Sequence, residues 1–236
     1  MVAEEREVPE KREKNRWVKE IESLLWAIII VILLRTFVIQ AYKIPSGSMI
    51  PTLLVGDHLL AAKFTYGLKI PYVDVKCCAW RKPKRGEVVI FEFPLDPSKD
   101  FVKRVVGIGG DTVAVKNGVI YVNGKKVPIW PVGRYEYRDV NTGEIVSGTL
   151  LKENLFGHIH YVLWTDGFEG MRNYGPYKVP EGTIFVMGDN RDHSNDSRFW
   201  GPVPLVKVKG TPLFIYFPWD SANHRINWHR FFHVIR

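Results

Sequence analysis

The sequence predicts a mostly β protein, an antiparallel coiled sheet or barrel, carried behind a single N-terminal transmembrane helix. Three observations predict it. One apolar stretch is confined to the first 40 of 236 residues, short β-branched or aromatic runs punctuated by Asn-Gly pairs follow it, and no long amphipathic helix lies outside it. An apolar fraction of 46% and a charged fraction of 25% belong to a chain that builds a core. That excludes a disordered tail protein, a collagen-like fibre and a disulfide-stapled mini-protein.

Residues 1–17 open the chain with almost nothing apolar and alternating charge, which reads as a solvated tail. The anchor is assigned to residues 18–40. The uninterrupted apolar run, Ser23 to Leu34, is 12 residues and too short alone, but Val18 to Ile39 gives 22 residues, about 33 Å of helix and enough to cross a bilayer. Arg35 lies near its end, where a long side chain snorkels to the headgroups, and Trp17 and Tyr42 bracket it as interfacial aromatics do. A cleaved leader would need small residues in an A-x-A pattern, and only Ala41 follows. Residues 1–20 hold six Lys/Arg and residues 36–56 only Lys43, so the expected topology is single-pass with a cytoplasmic N-terminus. Seven Lys/Arg and seven Glu cancel in residues 1–40, leaving the whole formal charge of +8 on residues 41–236. Behind a membrane anchor, that charge points to anionic lipid as a partner and not to nucleic acid.

Residues 41–236 are expected to form the extracytoplasmic β domain. Its strand-like runs are Glu87–Phe93, Asp111–Val115, Val119–Val122, Gly182–Gly188 and Thr211–Phe217. Asn117-Gly118 and Asn123-Gly124 supply hairpin turns, because both residues tolerate positive φ. Residues 125–175 read as a loop-rich, more polar peripheral β insertion. The final RINWHRFFHVIR reads as a lipid contact, an edge strand or a frayed end. Cys77 and Cys78 adjoin, bridge only through a strained ring and have no CxxC partner, so they are read as structural.

Three segments carry candidate chemistry. PSGSMIPTL (45–53) places Ser46 and Ser48 on one short loop just after the anchor; a plain turn is the competing reading. In DFVKRVVGIGGDTV (100–113), strand alternation sends Phe101, Lys103 and Val105 to one face and Val102, Arg104 and Val106 to the other. Arginine keeps its proton but a desolvated lysine can lose one. General-base work at pH 7 needs a fall of about three units from the reference value, or about 4 kcal/mol; a snorkelling edge lysine is the alternative. In MGDNRDHSNDSRFWG (187–201) the acidic density suggests calcium, but Arg191, His193, Ser194 and Trp200 occupy the positions an EF-hand needs. His158-Ile-His160 has no third ligand nearby, and the glycines of GIGGDT open no helix. No metal or organic cofactor is expected.

Together these segments resemble bacterial type I signal peptidase (leader peptidase), a membrane-bound Ser–Lys serine protease family. The likeness spans nearly all of residues 20–220 and rests on order and spacing: Arg35 and Phe37, IPSGSMIPTL (44–53), GDHLLAAKFTYG (56–67), PKRGEVVIFEFP (83–94), DFVKRVVGIGGDTV and GDNRDHSNDSR (188–198). The resemblance implies Ser48 as nucleophile, Lys103 as general base, and an oxyanion hole from the Ser46 hydroxyl and the Ser48 N–H. It implies that Ser194 hydrogen-bonds and orients the lysine, that Asp196 and Arg198 form a supporting ion pair, and that Arg104 pairs with Asp189. Signal peptides of exported preproteins would bind as an added strand, with small residues at −1 and −3 against Ile44, Pro45, Met49, Leu53, Phe101 and Val102. It places the enzyme in the bacterial cytoplasmic (inner) membrane. The chain departs from two-helix members in its single anchor, from some members in lacking an ectodomain disulfide, and in Asn195 where alanine or serine is common. Alternatives left open are a dedicated Ser–Lys maturation protease, a non-catalytic β domain that binds peptide or lipid, and a Ser–His protease using His58 or His193.

Overall fold

A computed structural model of the chain describes residues 11–69, 76–77, 79, 81–168 and 170–235. The chain divides into two compact units, Met1–Val38 and Ile39–Arg236.

In the first unit, helix α1 (Lys11–Leu33) runs into a π-helical turn, Leu34–Val38. From Arg16 to Val38 it has mean hydropathy 2.2 over its most apolar window, none of which is buried in the protein. A helix this long and apolar, exposed along its most apolar stretch, fits a membrane anchor. The helix already includes residues 11–17 of the expected tail, supported by an Arg16–Glu20 pair one turn apart at 3.1 Å. At the other end extended structure begins at Ile39 instead of residue 41, because Ile39 pairs with Ala62.

The second unit is almost wholly antiparallel β. Its longer strands are β1 (Ile39–Lys43), β2 (Asp57–Ala62), β3 (Val88–Phe93), β4 (Asp96–Ile108), β5 (Thr112–Lys116), β6 (Val119–Val122), β7 (Ile129–Arg138), β8 (Ile145–Leu155), β9 (His158–Thr165), β10 (Tyr174–Lys178), β11 (Thr183–Met187) and β12 (Val208–Asp220). An eight-stranded sheet has the order β1-β2-β12-β3-β4-β11, followed by Val203–Pro204, with Arg225–Ile226 pairing to β12. Repeated register shifts bend β12, between Val208 and Gly210, Pro212 and Phe214, and Ile215 and Phe217. The sheet is covered on both faces. Val88 and Ile90 pack with Met49, Leu53, Leu59 and Ile215, whereas Val89 and Phe91 pack with Val105, Val186 and Val208. A four-stranded sheet, β10-β5-β6 with Lys125–Lys126, adds a third core around Val113, Ile120, Val122 and Phe185.

The segment read as a loop-rich peripheral β insertion is mostly strand. β7, β8 and β9 form a continuous three-stranded sheet over residues 129–165, and β10 returns to β5. Pro131 and Gly133 in IWPVGRYEYR mask the strand in sequence, and the structure absorbs them in a register shift between them. The C-terminal segment lies along β12, with Phe232 N–H donating to Ile215 O at 2.8 Å and Ile235 N–H to Leu213 O at 3.0 Å. Cys77 sits in a two-residue strand opposite Leu68–Lys69, and Cys78 lies outside the described residues.

Candidate active site

Ser48 occupies a single 3-10 turn, Gly47–Met49, entered from an extended Ser46. Its neighbours hold it there. Met49, Ile50 and Leu53 are buried, Ile50 N–H donates to Gly47 O at 3.1 Å, and Leu53 N–H donates to Met49 O at 3.0 Å. Apolar anchors on the C-terminal side leave Ser48 half-buried at the mouth of the loop, so the serine-rich turn is positioned from below by the core.

Lys103 reaches it from the interior of β4. Although 55 residues separate them, the Lys103 amine is hydrogen-bonded to Ser48 Oγ. Lys103 is 3% exposed, with its Nζ 5.5 Å from the centre of the Phe101 ring. Burial pulls its pKa from 10.5 down to about 8, against the pull of the Asp196 and Asp189 carboxylates, while Arg198 adds to the fall. A buried amine in this range can take a proton from a hydroxyl it touches.

Arg104 points the other way, as strand alternation requires. It donates to Asp189 through Nε at 2.8 Å and Nη2 at 2.7 Å, and through Nη1 to Gly86 O at 2.7 Å. Asp189 also accepts from Thr52 Oγ1 at 2.5 Å, which ties β4 to the end of the nucleophile loop. Burial alone would raise the Asp189 pKa; the Arg104 charge and hydrogen bonds outweigh it and hold it low. Asp196 accepts from Arg198 Nε and Nη2, each at 2.8 Å, and from Gly188 N–H at 3.0 Å. A Cβ at Gly188 would overlap both Ser194 Oγ and the Ser48 carbonyl oxygen, so only glycine fits between the two segments.

Ser194 is buried beside Gly188, and among the described residues its Oγ has no hydrogen-bond partner. Ser46 is exposed, with Oγ 3.4 Å from Ser48 Oγ. A cavity of about 680 Å³ opens over the pair, walled by Ile44, Pro45, Met49, Phe101 and Val102. Leu53 is not among the lining residues: it is fully buried in the core with Ile44 and Met49, so it backs the cavity without touching it. Asn195 does line it.

Of the two histidines weighed as alternative bases, His193 lines the cavity and His58 does not. His58 packs edge-on against Tyr216 and Phe217, and His193 stacks on Phe168 at 4.8 Å. Among the described residues no group of three His, Cys, Asp or Glu side chains is placed to hold a metal.

Sequence reasoning missed the residues that brace the loop. Asn190 N–H donates to Ser48 O at 3.1 Å, and its Nδ2 donates to Gly47 O at 3.1 Å and to the Tyr137 hydroxyl at 3.2 Å. Arg191 forms a buried bidentate pair with Glu153 of β8 at 2.8 and 2.5 Å. Arg172 pairs with Asp192 at 2.7 Å. The alternating charges of GDNRD were the available signal, since buried charges require partners, but nothing local identified them.

A half-buried serine hydroxyl bonded to a buried lysine amine, beside a peptide-sized cavity on a β scaffold behind an apolar helix, is the build of a serine peptidase. Comparison with known proteins specifies which. The family described as signal peptidase, peptidase S26, matches residues 15–219, and the chain belongs to that family of serine endopeptidases. Signal peptidase I of Pseudomonas aeruginosa is 37% identical over 211 residues, covering 85% of this chain and 72% of the relative. Signal peptidase I of Aquifex aeolicus is 36% identical over 226 residues, covering 84% of each. A crystal structure of a signal peptidase I from Enterococcus faecalis overlaps 56% of this chain and 97% of its own, with 27% sequence identity and a TM-score of 0.34.

Proposed function

We propose that this chain removes N-terminal signal peptides from exported preproteins, cutting after small residues in an Ala-x-Ala pattern, with Ser48 as nucleophile and Lys103 as general base. The contact between the Lys103 amine and Ser48 Oγ carries the reading. Ser48 Oγ attacks the scissile carbonyl carbon and its proton passes to Lys103 Nζ. The oxyanion is met by the Ser48 N–H and the Ser46 hydroxyl. The C–N bond then breaks, Lys103 returns the proton to the leaving amine, and an acyl ester on Ser48 remains. Water, deprotonated by Lys103, hydrolyses the ester and regenerates both groups. Ile44, Pro45, Met49, Phe101 and Val102 give the cavity an apolar wall suited to small side chains of an extended peptide. Asp189, Arg104, Asp196 and Arg198 act as supports, and Ser194 packs beside the dyad.

The topology follows the basic residues. Six Lys/Arg in residues 1–20 against Lys43 alone in 36–56 favour a cytoplasmic tail (1–17), an anchor (18–40) in the bacterial cytoplasmic membrane and an extracytoplasmic catalytic domain (41–236). The +8 charge beyond the anchor favours contact with anionic lipid headgroups. The test incubates detergent-solubilised wild type, Ser48→Ala and Lys103→Ala with a preprotein bearing an Ala-x-Ala site, and reads the new N-terminus by mass spectrometry. Cleavage after the second Ala by wild type alone is expected. Activity persisting in Lys103→Ala would falsify the assigned base.

A further inference from the structure

The cavity over Ser48 is lined by apolar side chains, among them Ile44, Pro45, Phe101 and Val102, and by polar ones, among them Tyr137, at the end of β7, Asn190 and His193. Asn190 is fully buried, and its contacts fix which side-chain atom is which. Nδ2 must be the amide nitrogen, because it faces the Gly47 carbonyl oxygen at 3.1 Å and the Tyr137 hydroxyl at 3.2 Å. Among the described residues that leaves Oδ1 buried without a hydrogen-bond partner. A buried amide oxygen is rarely left unpaired, and Asn190 lines the cavity, where a bound ligand can supply the partner. Tyr137 accepts from Asn190, so its own hydroxyl proton is available for donation. An acceptor and a donor side by side complement the N–H and C=O of a polypeptide backbone.

We propose that Asn190 Oδ1 and the Tyr137 hydroxyl bind the backbone of the first residues of the mature chain, on the leaving-group side of the scissile bond. The inference rests on the peptidase reading above and assigns part of the insertion to substrate positioning. Of the apolar side chains, Ile44 and Pro45 lie in the chain preceding Ser48 and suit the small residues before the cut. Asn190 instead bonds the loop at the Gly47 and Ser48 carbonyls. Exported proteins begin with different side chains, so what they share after the cut is backbone, and backbone hydrogen bonds tolerate that variety. In acylation the Ser48 Oγ–C bond forms and the scissile C–N bond breaks, with Lys103 Nζ giving its proton to the departing amine. The mature segment is bound only during this step. It has left before water displaces Ser48 from the ester, so these contacts act on acylation alone.

The experiment compares full-length wild type and Tyr137→Phe in detergent on two substrates with one signal sequence. One is a preprotein; the other is the signal peptide ending at the cleavage alanine as a methyl ester, which releases methanol and carries no mature residues. The expected result is a tenfold fall in the ratio of kcat/KM for preprotein to kcat/KM for ester in Tyr137→Phe. A second probe leaves the enzyme intact: replacing the first peptide bond within the mature segment by an ester removes one backbone N–H. That change should slow wild type about tenfold and leave the cut at the same alanine. Equal losses on preprotein and methyl ester would assign Tyr137 to holding the nucleophile loop and overturn the proposal, as would an unchanged ratio. Failure of wild type on both substrates would instead remove the peptidase reading itself.

Discussion

Lys103 is asked to be a base in a place where burial makes its charge expensive, and the two facts are one. At its ordinary value of 10.5 fewer than one lysine in a thousand is neutral at pH 7, whereas at about 8 about one in ten is. Activity should therefore rise about tenfold per pH unit below about 8 and level off above it, measured as kcat/KM on a peptide whose own groups do not titrate there. Lys103→Arg should be inactive throughout, because a guanidinium keeps its proton. The same residue sets a stability trend. Its folded pKa lies below the unfolded one, so between about 8 and 10.5 the unfolded chain binds a proton that the folded chain lacks, and stability rises with pH across that window. Below about 8 the penalty of the buried charge is felt in full. Lys103→Met, which fills the same space without charge, should melt a few degrees higher than wild type at pH 7. Calorimetry decides this, and a lower melting temperature would contradict burial as the cause of the shift.

At the scale of elements, the site is a loop clamped between sheets, and the clamp is ionic. Glu153 on β8 and Arg191 on the loop after β11 are both buried and joined by two hydrogen bonds, with His160 Nε2 lying 3.2 Å from Glu153 Oε1. Burial would raise the Glu153 pKa, but the Arg191 charge and hydrogen bonds, with His160 close by, hold it down at about 2. Its contribution to stability is thus complete above about 4.5 and lost as the pH falls toward 2. Glu153→Ala strands the Arg191 guanidinium without its carboxylate and should cost about 3–5 kcal/mol, read by urea unfolding at pH 7. A cost under about 1 kcal/mol would show that the loop does not depend on β8. This clamp also marks the limit of what the chain reveals before folding. The strand alternation that separates Lys103 from Arg104, and the demand of a buried arginine for a carboxylate, are local and legible. The partners of Arg191 and Asn190 lie 38 and 53 residues away, in strands whose Pro131, Gly133 and alternating polar residues look like loop. Only sheet pairing brings Tyr137 and Glu153 to the site, and no spacing rule encodes that pairing. Leu53, fully buried in the core with Ile44 and Met49, shows the same limit: spacing does not say on which side of the loop an apolar residue packs.

For the whole molecule, the apolar helix and the β unit make one enzyme only if the tether does something the dyad cannot. Val38 ends the first unit, and ten residues later comes Ser48, a chain length that reaches at most about 36 Å. That length sets an upper bound on how far the nucleophile can lie from the end of the helix. Confinement of enzyme and preprotein to one membrane surface raises their mutual concentration without adding a contact. The dyad, its ion pairs and its cavity all lie within residues 39–236, so deleting residues 1–38 removes none of them. On a short soluble peptide the truncated chain should keep kcat/KM within about threefold of the full chain in detergent. On a preprotein embedded in vesicles it should fall at least tenfold, and an unrelated apolar helix of similar length fused before Ile39 should restore the rate. Rescue by an unrelated helix separates confinement from specific recognition by the native one. If the truncated chain cuts the embedded preprotein as fast as the full chain, the helix anchors the enzyme without helping it find its substrate. If both substrates are lost together, the helix supports the fold of the β unit and the two units are not independent.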